Sequence, residues 1–395
     1  MPKVTIKAGH VRPVWAGHPW VFAQAVARIS GGAVAGDEVD VEDERGNFLG
    51  RGLYSPGSAI VVRLCTRSRD VKLDAAWMAA RIEAAVARRT RLSLPSEQTN
   101  AYRLIHAEGD DLPGLIVDRF GDTLAVQFAT IGMKRREGIL LDALERLLAP
   151  RSIIDRSSEK AAKLEGFQTS KGVVRGEDIS ALSFQERGMR FRIPLSLGQK
   201  TGFYLDQRPL RGRIELLAKG RRVLDTFTYV GAIALGAARG GATEVLAVDE
   251  SALAVELGAE LATLNQLESN LHFERADAHD VLARAGRQGG YDLVVCDPPK
   301  MAPNRAAKKR AEGAMRRLAA AGASATRPGG LLVLCSCSAA IGVDELTRAL
   351  ALGGRDAGTR PIVLERWFQG ADHPVPAAFP AGLYLATIIS EIAPM

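Results

Sequence analysis

The strongest constraint on the fold is an alternation of short apolar runs and helical segments that begins near residue 190. Alternation of this kind predicts a parallel β-sheet with helices on both faces. Ligands bind such sheets at the carboxyl ends of the strands, so functional side chains are expected there. A hairpin of residues 191–195 and 201–205 is expected to lead into this region. The strand-like runs cover residues 222–225, 244–248, 271–274, 293–296 and 331–335.

Two other regions precede this one, and neither has its regular alternation. Residues 1 to about 70 contain short strand patterns between turns, which predicts a small β-barrel. The block that follows combines helices with strands, among them residues 115–120 and 123–128, in an α+β pattern. The predicted domains are residues 1–70, 71–188 and 189–395.

The net charge and the cysteines restrict the partners and the compartment. The formal charge is +7 at pH 7, and a positive excess suits a polyanionic partner such as a nucleic acid. The four cysteines have neither zinc-ligand spacing nor the density of a disulfide framework, which favours the reducing cytoplasm. We find no signal-peptide pattern and no apolar run of membrane-spanning length, so no membrane partner is expected.

The turn after the first strand of the predicted parallel sheet is a candidate cofactor site. Residues 223–235 end a strand at Asp225, pass through Phe227 and open a helix at Gly231. A glycine at that point lets the backbone approach a ligand closely. The turn lacks the GxGxxG pattern of a dinucleotide site. The alternative is an ordinary turn between a strand and a helix.

Acidic residues also follow the next two strands. Asp249 ends the second strand, where a carboxylate can accept both ribose hydroxyls of a nucleoside cofactor, and Ser251 comes shortly after it. Asp277, followed by Ala278, is placed to bind the exocyclic amine of an adenine. Each aspartate has an alternative role as the N-cap of the helix that follows.

Two further strands deliver reactive residues to the same edge. Residues 291–300 end an apolar strand with Asp297 and two prolines, which stiffen the exit and suit a carboxylate that holds a planar base. Residues 329–338 end the last strong strand with Cys335 and Cys337. A thiolate can add to C6 of a pyrimidine. Buried strand cysteines are usually inert, so packing is the alternative for both thiols.

A basic stretch follows the two prolines. In residues 304–317, helical spacing brings Arg305, Lys309 and Arg316 or Arg317 near one face. A solvated helix face is one interpretation of such a run. A helix that grips phosphates beside an active site is the other.

Several stretches carry a family resemblance that covers nearly the whole chain. GQKTGFYLDQR at 198–208 is similar to the GQKTGFFLDQR of RlmI-type 23S rRNA cytosine-5 methyltransferases. Residues 371–385 and 108–122 resemble the same family, and residues 17–22 and 36–63 resemble its PUA domain, an RNA-binding barrel. The order of acidic residues along the chain resembles that of a class I S-adenosylmethionine methyltransferase. These residues are Asp225, Asp249, Asp277 and Asp297, the last followed by Pro298 and Pro299.

This resemblance implies an α/β fold that combines a PUA β-barrel, a middle α+β domain and a Rossmann-like methyltransferase domain. It implies S-adenosylmethionine as cofactor, thiolate attack on C6 of a cytosine, and methyl transfer to C5. The family pattern SCS matches residues 336–338, so Cys337 is the implied nucleophile, Cys335 is the alternative, and Asp297 hydrogen-bonds N3 of the base. The implied partner is 23S rRNA or a large-subunit precursor, and a homodimer is also considered.

The motifs and the resemblance together assign the site residues, and the cysteine spacing predicts no metal. The implied cofactor-binding residues are Asp225, Phe227, Gly231, Asp249, Ser251, Asp277, Ala278 and Asp297. The implied RNA-binding residues are Lys200, Arg208, Lys300, Arg305, Lys308 and Lys309.

Two other functions remain open at this point. One is methylation of guanine N7 in rRNA, against which Cys337 argues because that reaction needs no nucleophile. The other is a ribosome-assembly factor that binds RNA without catalysis, against which the intact Asp225, Asp249 and Asp297 argue.

Overall fold

The computed structural model describes residues 1–197, 200–301, 307–338 and 340–395. These residues form two compact units. Unit 1 consists of Met1–Gly188, Arg192–Leu205 and Ala371–Pro380. Unit 2 consists of Met189–Phe191, Asp206–Gly370 and Ala381–Met395. No helix in the described ranges is both long enough and apolar enough to span a membrane.

The N-terminal part of unit 1 is a β-sheet with one short helix. The strands on either side of the polar turn at 44–47 form an antiparallel pair. The strand order is β2-β6-β5-β4-β1-β3 in the described residues. The elements are β1 Lys3–Ile6, α1 Val11–Trp15, β2 Trp20–Phe22, β3 Val26–Ser30, β4 Glu38–Asp43, β5 Phe48–Tyr54 and β6 Ile60–Thr66.

The second part of unit 1 packs helices on a mixed sheet with the order β11-β10-β9-β8-β7. Asp74 begins the first helix, because its side chain accepts a hydrogen bond from the backbone N–H of Trp77. Leu53 and Cys65 of the first sheet are buried in the core of this second part. The elements are α2 Ala75–Arg91, β7 Ala101–His106, β8 Leu115–Phe120, β9 Thr123–Phe128, α3 Ile131–Lys134, α4 Glu137–Leu148, β10 Ser152–Asp155, α5 Glu159–Glu165 and β11 Gly172–Gly176.

The predicted hairpin is wrong in its second strand. The strands that pair are β12 Ala181–Glu186 and β13 Met189–Pro194, while residues 201–205, which are all described, form no strand. The two residues between the paired strands, Arg187 and Gly188, have φ of +52° and +78°. Two consecutive left-handed residues form the turn that matches the twist of a tight hairpin, so pairing closes there.

Unit 2 contains the alternating elements that the sequence predicts. The five predicted strands are all present, each within a few residues of its expected bounds. Its elements are α6 Arg208–Leu217, β14 Arg222–Thr226, α7 Ala232–Arg239, β15 Glu244–Asp249, α8 Ala252–Leu264, β16 Leu271–Arg275, α9 Ala278–Arg287, β17 Tyr291–Cys296, α10 Lys308–Ala325, β18 Thr326–Ser336, α11 Val343–Asp356, β19 Thr359–Trp367 and β20 Ala386–Pro394.

The sheet of unit 2 has the order β16-β15-β14-β17-β18-β20-β19 in the described residues. Strands β14 to β18 run parallel, and β20 is antiparallel to both of its neighbours. The chain order reverses at β14, which lies between β15 and β17, and ligands bind open α/β sheets at such a switch point. The fold prediction, an α/β arrangement with a parallel sheet, is confirmed.

Candidate active site

Asp225 lies at the switch point, near the carboxyl end of β14, and is 1% exposed. Its Oδ2 accepts hydrogen bonds from the hydroxyl of Thr228 and from the backbone N–H of Ala234 at 3.1 Å. Its Oδ1 is buried and has no hydrogen-bond partner among the described residues. Burial raises the pKa of Asp225 to about 7, against the lowering effect of the Thr228 hydroxyl.

The loop after β14 has an unusual backbone. Phe227 and Tyr229 have φ of +61° and +54°, and Gly231, which begins α7, has φ of +78°. Left-handed bulky residues are rare and concentrate at functional sites. A Cβ on Gly231 would lie 2.5 Å from the ring of Phe273, so a glycine is required there. Phe227 is half-buried, with its ring 6.3 Å from that of His279.

Asp249 holds this loop. Its Oδ2 accepts from the backbone N–H of Tyr229 at 2.8 Å, and its Oδ1 accepts from the backbone N–H of Ser251 at 3.0 Å. Ser251 in turn caps α8 by accepting from the N–H of Ala254 at 3.3 Å. Asp249 is half-buried, and each of its two carboxylate oxygens accepts one of these backbone hydrogen bonds.

Asp277 is the N-cap of α9, which is the alternative role that the sequence left open. It is exposed and begins α9, where one carboxylate oxygen accepts from the backbone N–H groups of His279 and Asp280. These backbone hydrogen bonds lower the pKa of Asp277. Ala278 is buried in the first turn of the same helix. Since the cap uses one carboxylate oxygen, the geometry is compatible with a ligand but does not require one.

Asp297 follows β17, next to the buried Pro298. The side-chain amide of Gln207 donates through Nε2 to Oδ2 of Asp297 at 2.9 Å. Gln207 is 5% exposed, and its Oε1 is buried without a hydrogen-bond partner in the described part of the chain. Gln207 is not among the site residues that the sequence predicts. Its only signal was its place in the family-like stretch at 198–208, because an isolated glutamine forms no pattern.

The cysteines of unit 2 differ in accessibility. Cys335 is fully buried in β18, where burial holds its pKa well above the ordinary value. Cys296 is also fully buried, and burial raises its pKa to about 12. Cys337 comes directly after the end of β18 and is half-buried. In the register of the two strands Cys296 lies opposite Leu334, so β17 and β18 deliver Asp297 and Cys337 to one edge of the sheet.

The predicted phosphate-gripping helix uses part of its charge internally. In α10, Lys308 forms an ion pair with Glu345 of α11, and Arg316 pairs with Asp356. Lys309 is exposed. Arg305 lies outside the described residues. Acidic side chains of α11 therefore neutralise part of the positive charge of this helix.

The remaining predicted RNA-binding residues lie in different environments. Lys300 is exposed after the two prolines, and Arg208 is half-buried at the start of α6. In unit 1, the exposed Lys200 lies over the ring of Tyr204, with Nζ 4.3 Å from the ring centroid. In the described ranges no group of three or more His, Cys, Asp and Glu side chains could hold a metal ion.

Comparison with known proteins decides the family. The family model of the S-adenosylmethionine-dependent methyltransferases matches residues 167–374. A model of the PUA-like domain matches residues 4–67. Ribosomal RNA large subunit methyltransferase I of Yersinia pseudotuberculosis serotype O:1b (strain IP 31758) is 36% identical over 386 residues, which cover 97% of each chain. The chain belongs to this family of S-adenosylmethionine-dependent methyltransferases. Its cofactor is S-adenosylmethionine, as the sequence predicts.

Two solved structures share the fold of this chain. The crystal structure of SMU.776 complexed with SAH has a TM-score of 0.86 at 20% identity, covering 99% of this chain and 100% of that one. A second solved structure, from Streptococcus mutans, gives a TM-score of 0.85 at 19% identity, with the same coverage. The predicted Rossmann-like methyltransferase fold with an N-terminal PUA-like domain is confirmed.

Proposed function

We propose that this methyltransferase transfers a methyl group to C5 of a cytosine in large-subunit rRNA, with Cys337 as the covalent nucleophile. The observation that carries the proposal is the contrast between the two neighbouring thiols. Cys335 is fully buried within β18, and its raised pKa disfavours the thiolate. Cys337, two residues on, is half-buried beyond the strand end. Only the second is accessible to a base at the carboxyl edge of the sheet.

The residues around the switch point fit the cofactor. Asp225 offers a buried carboxylate oxygen without a partner among the described residues, which suits the ammonium group of S-adenosylmethionine. Asp249 is proposed to accept hydrogen bonds from the ribose hydroxyls, and the half-buried ring of Phe227 to provide an apolar surface for the adenine. The other proposed cofactor-binding residues lie at the starts of two helices: Ser251 at the start of α8, and Asp277 and Ala278 at the start of α9. When bound, the cofactor supplies an electrophilic methyl group.

In the proposed mechanism, Cys337 forms a covalent bond to the base in the first step and is released in the last. The thiolate of Cys337 adds to C6 of the cytosine, which makes C5 electron-rich and able to bond the methyl carbon. After methylation, C5 releases its proton to solvent water, and the electrons of that bond re-form the double bond between C5 and C6. The bond between sulfur and C6 breaks at the same time, so Cys337 leaves as the thiolate. Asp297 accepts a hydrogen bond from protonated N3 and so stabilises the adduct as it forms.

Large-subunit rRNA is proposed as substrate on three grounds. The Yersinia relative carries that substrate in its name and covers almost the whole chain. The PUA-like domain at 4–67 and the formal charge of +7 both suit an RNA partner. Lys300 and Lys309 are exposed close in sequence to Asp297 and are proposed to contact phosphates.

Bisulfite sequencing of rRNA from a deletion strain, with and without the restored protein, locates the target and tests the proposal. An rRNA fragment with 5-fluorocytosine at that position should then trap a protein–RNA adduct that mass spectrometry maps to Cys337. Cys337→Ser should abolish the adduct and methyl transfer while S-adenosylmethionine still binds, and Cys335→Ser should retain both. An adduct at Cys335, or a deletion strain that loses only a methylated guanine, would show the proposal to be wrong.

A further inference from the structure

The turn Leu205–Gln207 places a buried amide beside Asp297. Two hydrogen bonds within unit 2 fix this turn at Asp206. The backbone N–H of Gly370 donates to the carbonyl of Asp206 at 3.0 Å, and the hydroxyl of Tyr384 donates to its Oδ2 at 2.7 Å. Gln207 follows directly and is 5% exposed. These two bonds therefore hold the backbone that leads directly into Gln207.

The contact with Asp297 determines which atom of the amide is left over. An ionised carboxylate can only accept hydrogen bonds, so the nitrogen of Gln207 must face Asp297, as it does at 2.9 Å. The oxygen, Oε1, then points elsewhere, and it is buried without a partner in the described ranges. A buried acceptor without a donor is costly, and such groups in native proteins call for an explanation.

The proposed chemistry requires an acceptor of this kind. Protonated cytosine and uracil both present an N–H at N3, so Asp297 alone cannot distinguish the two bases. They differ at position 4, where cytosine carries an amino donor and uracil a carbonyl acceptor. Position 4 is adjacent to N3 on the ring, as Oε1 of Gln207 is adjacent to the nitrogen that bonds Asp297.

We propose that Gln207 determines specificity for the base: its Oε1 accepts a hydrogen bond from the exocyclic amine of the target cytosine, while its Nε2 holds Asp297 against N3. The proposal rests on the proposed function, since it names the group that selects cytosine at the same site. Uracil would bring its carbonyl oxygen against Oε1, leaving two acceptors face to face. A site built to bond a donor rejects an analogue without it strongly.

A cycle that pairs a protein variant with a substrate variant tests this contact. Two RNA fragments are compared that differ only at the target base, one with cytosine and one with 2-pyrimidinone, which lacks the exocyclic amine. Gln207→Met should lower kcat/KM on the cytosine RNA by roughly ten- to hundredfold, the usual loss for an unsatisfied polar group. On the 2-pyrimidinone RNA the same variant should lose less than about twofold, because there is no amine to bond.

Two further variants separate this role from a structural one. Gln127→Met is the matched control, because Nε2 of Gln127 also donates to an oxygen, the carbonyl of Arg156. This variant should leave kcat/KM unchanged on both RNAs. Gln207→Glu keeps an acceptor but sets a second carboxyl against Asp297. Like charges raise carboxyl pKa values, so the acidic limb of the pH profile of kcat/KM should move to higher pH.

Equal losses on the two RNAs, or no loss on either, would overturn the proposal even if Gln207→Met binds S-adenosylmethionine normally. An unchanged acidic limb in Gln207→Glu would likewise refute the contact with Asp297. A wild-type protein that forms no adduct with 5-fluorocytosine RNA refutes the proposed function, and this inference with it. The adduct experiment on the wild type therefore distinguishes that failure from failure of the Gln207 assignment alone.

Discussion

The hydroxyl of Thr387 in β20 donates to Sγ of Cys335 in β18 at 3.3 Å. This hydrogen bond joins two neighbouring antiparallel strands, in which Cys335 and Thr387 are direct partners. Both side chains are buried. The thiol of Cys335 is thus part of the sheet, whereas Cys337 lies outside it.

Alkylation should report this difference directly. With iodoacetamide at pH 8, Cys337 should react at least about tenfold faster than Cys65, Cys296 and Cys335, whose burial raises their pKa values. Mass spectrometry of peptides at several times gives the four rates. In urea, where all the thiols are exposed, the rates should converge. Labelling of Cys335 as fast as that of Cys337 in the folded protein would contradict the structure.

Asp225 should make the stability of the free protein depend on pH. Its pKa rises from 3.8 to about 7 on folding, so the folded state binds the proton more tightly. The free energy of unfolding should therefore fall as pH rises from about 4 to about 7, by up to about 4 kcal/mol from this group. Asp225→Asn removes the buried charge, so it should be more stable than wild type at pH 8 and similar at pH 4. Urea unfolding at both values measures this.

Asp225→Asn should bind S-adenosylmethionine at least about tenfold more weakly than the wild type at pH 8, because it lacks the charged partner of the ammonium group. Calorimetry with the wild type should show weaker binding as pH falls below about 7, since the carboxylate is then protonated. Equal affinities for wild type and Asp225→Asn at pH 8 would exclude Asp225 from the cofactor site.

A matched pair of glycine substitutions tests the loop after β14. A Cβ on Gly231 or on Gly258 would meet the same ring, that of Phe273, at 2.5 Å or 2.2 Å. Both changes to alanine should cost about 1–3 kcal/mol of stability by overpacking. Only Gly231 has a positive φ, +78°, and lies in the candidate cofactor loop. Gly231→Ala should therefore also weaken S-adenosylmethionine binding at least about tenfold, while Gly258→Ala should not. Calorimetry and thermal melts separate the two effects.

Two adjacent lysines should respond differently to charge reversal. Lys309→Glu changes an exposed charge, so RNA affinity should fall and the slope of log K against log salt should flatten by about one. Lys308→Glu breaks the ion pair with Glu345 and sets two carboxylates together, so it should lower the melting temperature as well. Salt titrations of RNA binding and thermal melts of both variants provide the comparison. Identical melting temperatures would show that the ion pair contributes nothing.

The sheet of unit 2 could be predicted because its central strands β14, β17 and β18 are buried on both faces. Residues 293–295 and 331–334 are apolar without interruption, a pattern that parallel strands between two layers of helices require. The insertion of β20 between β18 and β19 could not be predicted in the same way. Strand order there depends on pairing between distant segments, and no local pattern encodes it.

The candidate site shows the same limit at the level of single residues. Asp249 and Asp277 each follow a strand, yet the first holds a strained loop while the second caps a helix. The sequence signal of a cap and that of a ligand-binding carboxylate are identical, so sequence left both roles open. Gln207 was missed because its importance lies in a bond to Asp297, ninety residues away along the chain.

The interleaving of the two units has a consequence for the order in which the chain folds during synthesis. Unit 1 includes Ala371–Pro380, which the ribosome makes only after the long segment Asp206–Gly370 of unit 2. The buried guanidinium of Arg89 donates to the carbonyl of Asp372 at 2.7 Å, so a nascent chain lacks this acceptor until that late stage. Domains of most proteins fold as they emerge, N-terminal first. Here the first unit to be started cannot be finished until most of the second has been translated.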